Sequence, residues 1–155
     1  GIPYGVPPVH SLRWWPAVPA TCWGAGTTLK ATSDGNVCYQ GGLHPKESED
    51  CLNLNVFVPA KQLATMTAKL PVVVWLYGGS NVVGSVSSYG SIENLVREAK
   101  TDIILVAVNY RLNVFGFLAL RELSAVDPRG VSGNYGITDQ QVALQWVQEN
   151  IEQFG

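Results

Sequence analysis

Hydrophobic residues are densest in the middle of the chain. Pro71 opens an uninterrupted apolar run, Val72-Val73-Val74-Trp75-Leu76, and a second covers Ile103 to Val108. Both are rich in the β-branched and aromatic residues that suit a pleated strand. A run that is apolar at every position is expected to be covered on both faces, as in a parallel sheet flanked by helices. Between the two runs Ile92, Leu95, Val96 and Ala99 repeat at helical spacing, with Ser91 as an N-cap and Glu93 in the first turn. Strand, helix, strand predicts a βαβ unit with a right-handed crossover.

Leu52 to Val58 carries a different rhythm. Leu52, Leu54, Val56 and Val58 share one parity and Asn53, Asn55 and Phe57 the other. That is a period-2 strand with one drier face, expected as an antiparallel member near a sheet edge. Lys61 to Lys69 shows no clear pattern and reads as a linker. Arg121 to Gly136, with Asp127-Pro128 and three glycines, reads as a loop. A last helix is expected from near Thr138, where Thr138 and Gln141 have the spacing of a capping box. Ile137, Leu144, Val147, Ile151 and Phe154 would form its apolar stripe. Upstream of all this, Pro3, Pro7, Pro8, Pro16 and Pro19 with Trp14, Trp15 and Trp23 predict extended chain laid over a core.

Composition changes the picture in one respect. Only 14% of the 155 residues are charged while 46% are hydrophobic, against about 25% charged in an ordinary soluble domain. Such a balance suits an inner portion of a larger domain. A net charge of −2 without a Lys/Arg block argues against a nucleic-acid footprint. No apolar run approaches the roughly 20 residues that span a membrane. His10 sits among prolines as a solvent-facing loop residue, and His44 has no Cys or His at metal-ligand spacing. No metal or cofactor is expected. Gly24-Ala25-Gly26 resembles half a phosphate loop but follows no strand. Cys38 and Cys51 bracket YQGGLHPKESED. A bridge closing such a loop would contribute about 3 kcal/mol, and two reduced thiols are the alternative that spacing alone does not exclude. Cys22 is the odd cysteine.

The candidate chemistry lies where the first apolar run stops, at Tyr77-Gly78-Gly79-Ser80. Paired glycines there let peptide N–H groups stand clear of side chains. That end of a strand is also where open α/β sheets bind ligands. A plain strand-to-loop turn is the competing account of these four residues.

Several longer stretches, taken in order, resemble one family. They are GIPYG, LRWW, SEDCLNLNVFVP, LPVVVWLYGGS, DIILVAVNYRLNVFGFLAL and GNYGITDQQVALQWVQENIEQFG. The family is the type-B carboxylesterase, cholinesterase and lipase group of α/β-hydrolases, and the resemblance runs from Gly1 to Gly155. It implies an α/β fold: the N-terminal part of a mostly parallel sheet flanked by helices. Residues 1–155 would be a partial hydrolase domain, truncated at both ends and without a second domain, that packs against the remainder of its own domain.

Family members hydrolyse esters with a serine on a sharp turn, an acid–histidine pair and backbone N–H donors for the oxyanion. GxSxG is absent here; Ser80, Ser87 and Ser132 lack flanking glycines at the right offsets. What the resemblance does assign is half of the oxyanion hole, Gly79 and Ser80, with Ser80 where most relatives have a third glycine. It also implies a Cys38–Cys51 disulfide, and with it an extracellular or secretory-route protein. Two buried ion pairs are implied as well, Arg13 with Glu49 and Arg111 with Asp139. The disulfide-bounded loop has Tyr39 but no tryptophan, which disfavours choline esters. The expected substrate is a small carboxylic or lipid ester. The alternative is a catalytically silent, cholinesterase-like adhesion or binding domain.

Overall fold

Four strands build the main sheet of the computed structural model, which describes residues 1–21, 26–65, 69–90 and 92–155. Cys22, Trp23, the Gly24-Ala25 pair and the expected cap Ser91 lie outside the described residues. The strands are β1 (Ile2–Pro3), β4 (Asn53–Phe57), β5 (Val72–Leu76) and β6 (Ile104–Val108). Their order is β1-β4-β6-β5. β4 runs antiparallel to both β1 and β6, whereas β5 and β6 are parallel, Val72 opposite Ile104 through Leu76 opposite Val108. The parallel pair is joined through α2 (Asn94–Glu98), giving the expected βαβ unit. A parallel two-residue ladder, β2 (Val37–Cys38) with β3 (Glu47–Ser48), stands apart from the main sheet.

β6 occupies the centre because every residue in it is apolar, and all five are buried. Ile104, Val106 and Val108 face a core with Tyr4, Leu52, Leu54, Ala143, Trp146 and Val147. Leu105 and Ala107 face Val86 and Ile92, against which Phe57, Trp75 and Val96 also pack. The alternation in β4 is resolved the same way, with Leu54 in the first cluster and Phe57 on the second.

β5 departs from expectation. It is the edge of the described sheet, and Val73 and Leu76 stay 44% and 39% exposed. Apolar composition fits it for burial, but only β6 pairs with it among the described residues. Helices also replace two expected coils: α1 (Ala60–Thr65) in the linker, and α4 (Arg121–Val126) in the long loop. A further short helix, α3 (Asn113–Phe117), follows β6.

α5 (Tyr135–Asn150) starts earlier than the Thr138 signal indicates. Asn134 caps it in the left-handed conformation, φ 57°, which asparagine tolerates better than most residues. Thr138 therefore lies inside the first turn. Its hydroxyl donates to the Tyr135 carbonyl and accepts from the Ala17 N–H. The stripe shifts accordingly: Tyr135, Asp139, Ala143, Trp146 and Val147 are buried, whereas Ile137 and Leu144 are exposed. A buried aspartate on the inner face is what displaces the apolar reading.

The proline- and tryptophan-rich segment does lie over this core. Trp14 Nε1 donates to the Val114 carbonyl, and the Trp15 carbonyl accepts from Arg111 Nη2. No helix among the described residues is long and apolar enough to cross a membrane.

Candidate functional site

At the C-terminal end of β5 the chain turns through Gly78 to Gly84 in a conformation set by its carbonyls. The Gly79 carbonyl points into the turn and accepts from the Val82 and Val83 N–H groups at 3.0 and 3.2 Å. The Gly78 carbonyl faces Gly84, lying 2.7 Å from where a Cβ on that glycine would stand. In a trans peptide the N–H points away from its own C=O. The Gly79 and Ser80 N–H groups are thus directed away from the turn, and neither meets an acceptor among the described residues.

Gly79 is required by this geometry. Its φ is 135°, and a Cβ there would run into the Val83 carbonyl. Ser80 and Asn81 follow at φ 55° and 60°. That left-handed region is natural for asparagine but costs an ordinary residue about 1–2 kcal/mol.

Three contacts hold the loop. Beneath it, Tyr77 and Tyr110 stack with ring centroids 4.5 Å apart and exchange hydrogen bonds: each phenol donates to the other residue's carbonyl, at 2.9 and 2.7 Å. Burial raises both phenol pKa values, so neither ionises near neutrality and both remain donors. On one side the Gln40 amide grips Gly84 twice, accepting from its N–H at 2.8 Å and donating to its carbonyl at 3.1 Å. On the other, the Asn113 N–H donates to the Asn81 carbonyl at 2.7 Å.

Behind these contacts lies a buried amide network. Asn109 Nδ2 donates to Asn53 Oδ1 and to the Asn36 carbonyl, while Asn109 Oδ1 accepts from the Val86 N–H. The ends of β4 and β6 are tied in this way to the chain that leaves the glycine turn.

Gln40 lies in no motif that sequence reasoning singled out, and Asn53, Asn109 and Asn113 lie in the resemblance stretches without a role assigned to any of them. The one available signal is asparagine within or at the end of otherwise apolar strands, where each amide must find partners.

Gln40 is itself held by the loop that Cys38 and Cys51 close. The two are joined in a disulfide. Inside the loop the Glu47 carboxylate accepts from the Gln40, Gly42 and His44 N–H groups at 3.0, 2.7 and 2.8 Å. Burial pushes the Glu47 carboxyl up, but these backbone donors, with that of Leu43, outweigh it and hold its pKa below the usual value.

The two expected ion pairs differ in their surroundings. Arg111 Nε and Nη2 fork onto Asp139, and the Arg111 N–H adds a bond at 2.9 Å to the same carboxylate. Both side chains are buried, 3% and 0% exposed. Burial pushes the Asp139 carboxyl up, and the Arg111 bonds pull against it. Arg111 Nη1 has no hydrogen-bond acceptor among the described residues; the guanidinium lies 5.6 Å from the centre of the Tyr135 ring, whose face is attractive to a cation. Arg13 forks onto Glu49 as well, but that pair is exposed, 39% and 22%, and not buried as expected. The Trp14 ring and the Phe115 ring of α3 stand 5.7 and 5.9 Å from the Arg13 guanidinium, but they leave the pair open to solvent.

Other candidates come to nothing as catalytic groups. His10 is exposed, and His44 Nδ1 accepts from the Lys46 N–H. Ser87 shares the Ser85 hydroxyl, and Ser132 pairs with Ser124. Among the described residues no serine hydroxyl meets a histidine, and no group of three His, Cys, Asp or Glu could hold a metal ion.

Comparison with known proteins decides the lineage. The profile of the carboxylesterase family matches residues 1–155. The chain belongs to the carboxylesterase family. Fumonisin B1 esterase of Sphingopyxis macrogoltabida is 41% identical, with all of this chain and 28% of that protein aligned. Para-nitrobenzyl esterase of Bacillus subtilis is 38% identical, over the whole chain and 31% of the relative. Among solved structures, Geobacillus stearothermophilus carboxylesterase EST55 superposes with a TM-score of 0.83 at 41% identity, again over the whole chain and 31% of its own length. The chain therefore spans about three-tenths of the length of the relatives it matches. The α/β-hydrolase architecture of these relatives agrees with the sheet described above.

Proposed function

We propose that this chain supplies the oxyanion-stabilising part of a serine carboxylic-ester hydrolase. The nucleophile, acid and histidine come from polypeptide beyond these 155 residues. One observation carries the reading: the outward-directed N–H groups of Gly79 and Ser80 at the C-terminal end of β5, unpaired among the described residues. A carbonyl oxygen that gains charge on nucleophilic attack would accept from both, and preorganised donors of this kind stabilise the transition state more than the ground state. The buried tyrosine pair and the Gln40 grip keep the donors in place before substrate arrives. Substrates would be small carboxylic or lipid esters. The Cys38–Cys51 bridge supports an extracellular or secretory setting.

The test is direct. In the protein that carries this chain, Gly79→Ala pushes a methyl group into the Val83 carbonyl and displaces the donors, and a fall of about 10²–10³ in kcat toward p-nitrophenyl butyrate is expected. A fluorophosphonate probe should label a serine outside residues 1–155. The 155-residue chain by itself should be neither labelled nor active. Labelling at Ser80, Ser87 or Ser132, or turnover by this chain alone, would overturn the reading.

A further inference from the structure

Ser80 stands out within the glycine turn. Its φ of 55° is one that glycine or asparagine adopts more readily, yet the position carries a hydroxyl. At Gly79 and Gly84 a side chain is blocked, by the Val83 carbonyl and the Tyr77 ring respectively. At Ser80 the side chain is exposed, and its Oγ has no hydrogen-bond partner among the described residues. Its own N–H is likewise unpaired, directed outward by the turn.

In a gauche rotamer a serine Oγ lies roughly 3 Å from its own backbone nitrogen. One acceptor oxygen can then take the N–H and the O–H of the same residue together. A hydroxyl can donate and rotates freely to suit the acceptor.

We propose that the Ser80 hydroxyl is a third hydrogen-bond donor to the ester carbonyl oxygen, beside the N–H groups of Gly79 and Ser80. The proposal rests on the oxyanion reading above and adds a side chain to it. When the nucleophile adds to the carbonyl carbon, the C=O π pair moves onto oxygen. A bond from Ser80 Oγ–H to that oxygen then becomes charge-assisted and strengthens. The hydroxyl thereby acts in the transition state more than in substrate binding. Its backbone strain gains a functional counterpart, as strained positions in binding turns often have.

Two substitutions in the protein that carries this chain separate the hydroxyl from the backbone. Ser80→Ala keeps the Cβ and the N–H and removes only the donor. Ser80→Gly also removes the donor but relieves the strained φ. We expect both to lower kcat toward p-nitrophenyl butyrate by about tenfold to 10² while KM stays near the parent value. The inhibition constant of an alkyl trifluoromethyl ketone, whose serine adduct carries an oxyanion, should rise by the same factor as kcat/KM falls. Inhibition by the product alcohol should not change.

A role confined to folding predicts the opposite order, with Ser80→Gly equal to or better than the parent. Parent-like kcat in both variants overturns the proposal. If Gly79→Ala abolishes turnover while the Ser80 variants keep it, the backbone hole stands and the hydroxyl's part in it falls. A parent protein that turns over no ester removes both.

Discussion

Two arginines in this chain make nearly the same bond and live in opposite surroundings. Arg111 and Arg13 each present Nε and Nη2 to one carboxylate. The first pair is sealed between the end of β6 and α5, and the second lies at the surface among proline-rich chain. Identical forks are therefore not identical contributions. In water an arginine that loses its carboxylate is rehydrated, and the loss is small. In the interior, no water replaces the partner. The carboxylate left behind keeps its desolvation cost, and removing one member of a buried pair is far more damaging than the pair is stabilising.

The largest expected effect follows from that asymmetry. Arg111→Ala should lower unfolding stability by about 3–5 kcal/mol, read from urea titration. It strands Asp139 and also frees the Trp15 carbonyl that Arg111 Nη2 holds at 3.0 Å. A loss of only a few tenths would show that the two pairs are equivalent after all.

Glu47 sharpens the comparison with a carboxylate whose partners are backbone N–H groups. Its folded pKa lies below the ordinary 4.5, so its stabilisation is complete above that value and disappears as pH falls through the folded one. The amide resonances of Gln40, Gly42 and His44 should titrate together with a midpoint below 4.5. In Glu47→Gln that titration should vanish and those amides should exchange faster. A midpoint at or above the ordinary glutamate value would mean that the backbone donors do not hold the carboxylate.

Arg13→Ala is expected to do least. Its unfolding midpoint should match the parent, and raising salt should leave that match unchanged, because an exposed pair is already screened. A clear destabilisation would place Arg13 with Arg111 and break the contrast.

How far these differences can be read in advance depends on whether their causes are local. β6 is legible because six consecutive apolar residues leave it no face to expose, and β4 is legible from its alternation. The pairing of Arg111 with Asp139 follows from family resemblance. Its burial depends on α5 covering the end of β6, and nothing near Arg13 in sequence says that no such cover exists there. The start of α5 is hidden because the exposed, left-handed Asn134 makes no side-chain cap bond and follows a glycine that reads as loop, while Thr138 mimics a cap.

β5 illustrates the reverse case. Its apolar run describes what the strand suits, not what the described residues cover. In the site, the glycine pair stands out at the end of an apolar run, but a plain turn accounts for it too, and only the family resemblance brings in Ser80. Their supports are not visible in sequence. Gln40 meets Gly84 across 44 positions, Tyr77 meets Tyr110 across 33, and no local spacing encodes either contact.

The Gln40 grip has a consequence for anyone redesigning this loop. With Cys38 covalently fixed and Gln40 holding both backbone groups of Gly84, the three residues 38–40 work as a ruler of set length. Inserting even one amino acid there would move the glycine turn or lose its clamp. Beyond the ruler the side chain of Leu43 is free, 71% exposed, but the backbone on either side of it is not, because Gly42 and His44 share the Glu47 carboxylate with Gln40. A graft at that tip can replace the Leu43 side chain, whereas a longer insertion would pull on the carboxylate that steadies the ruler.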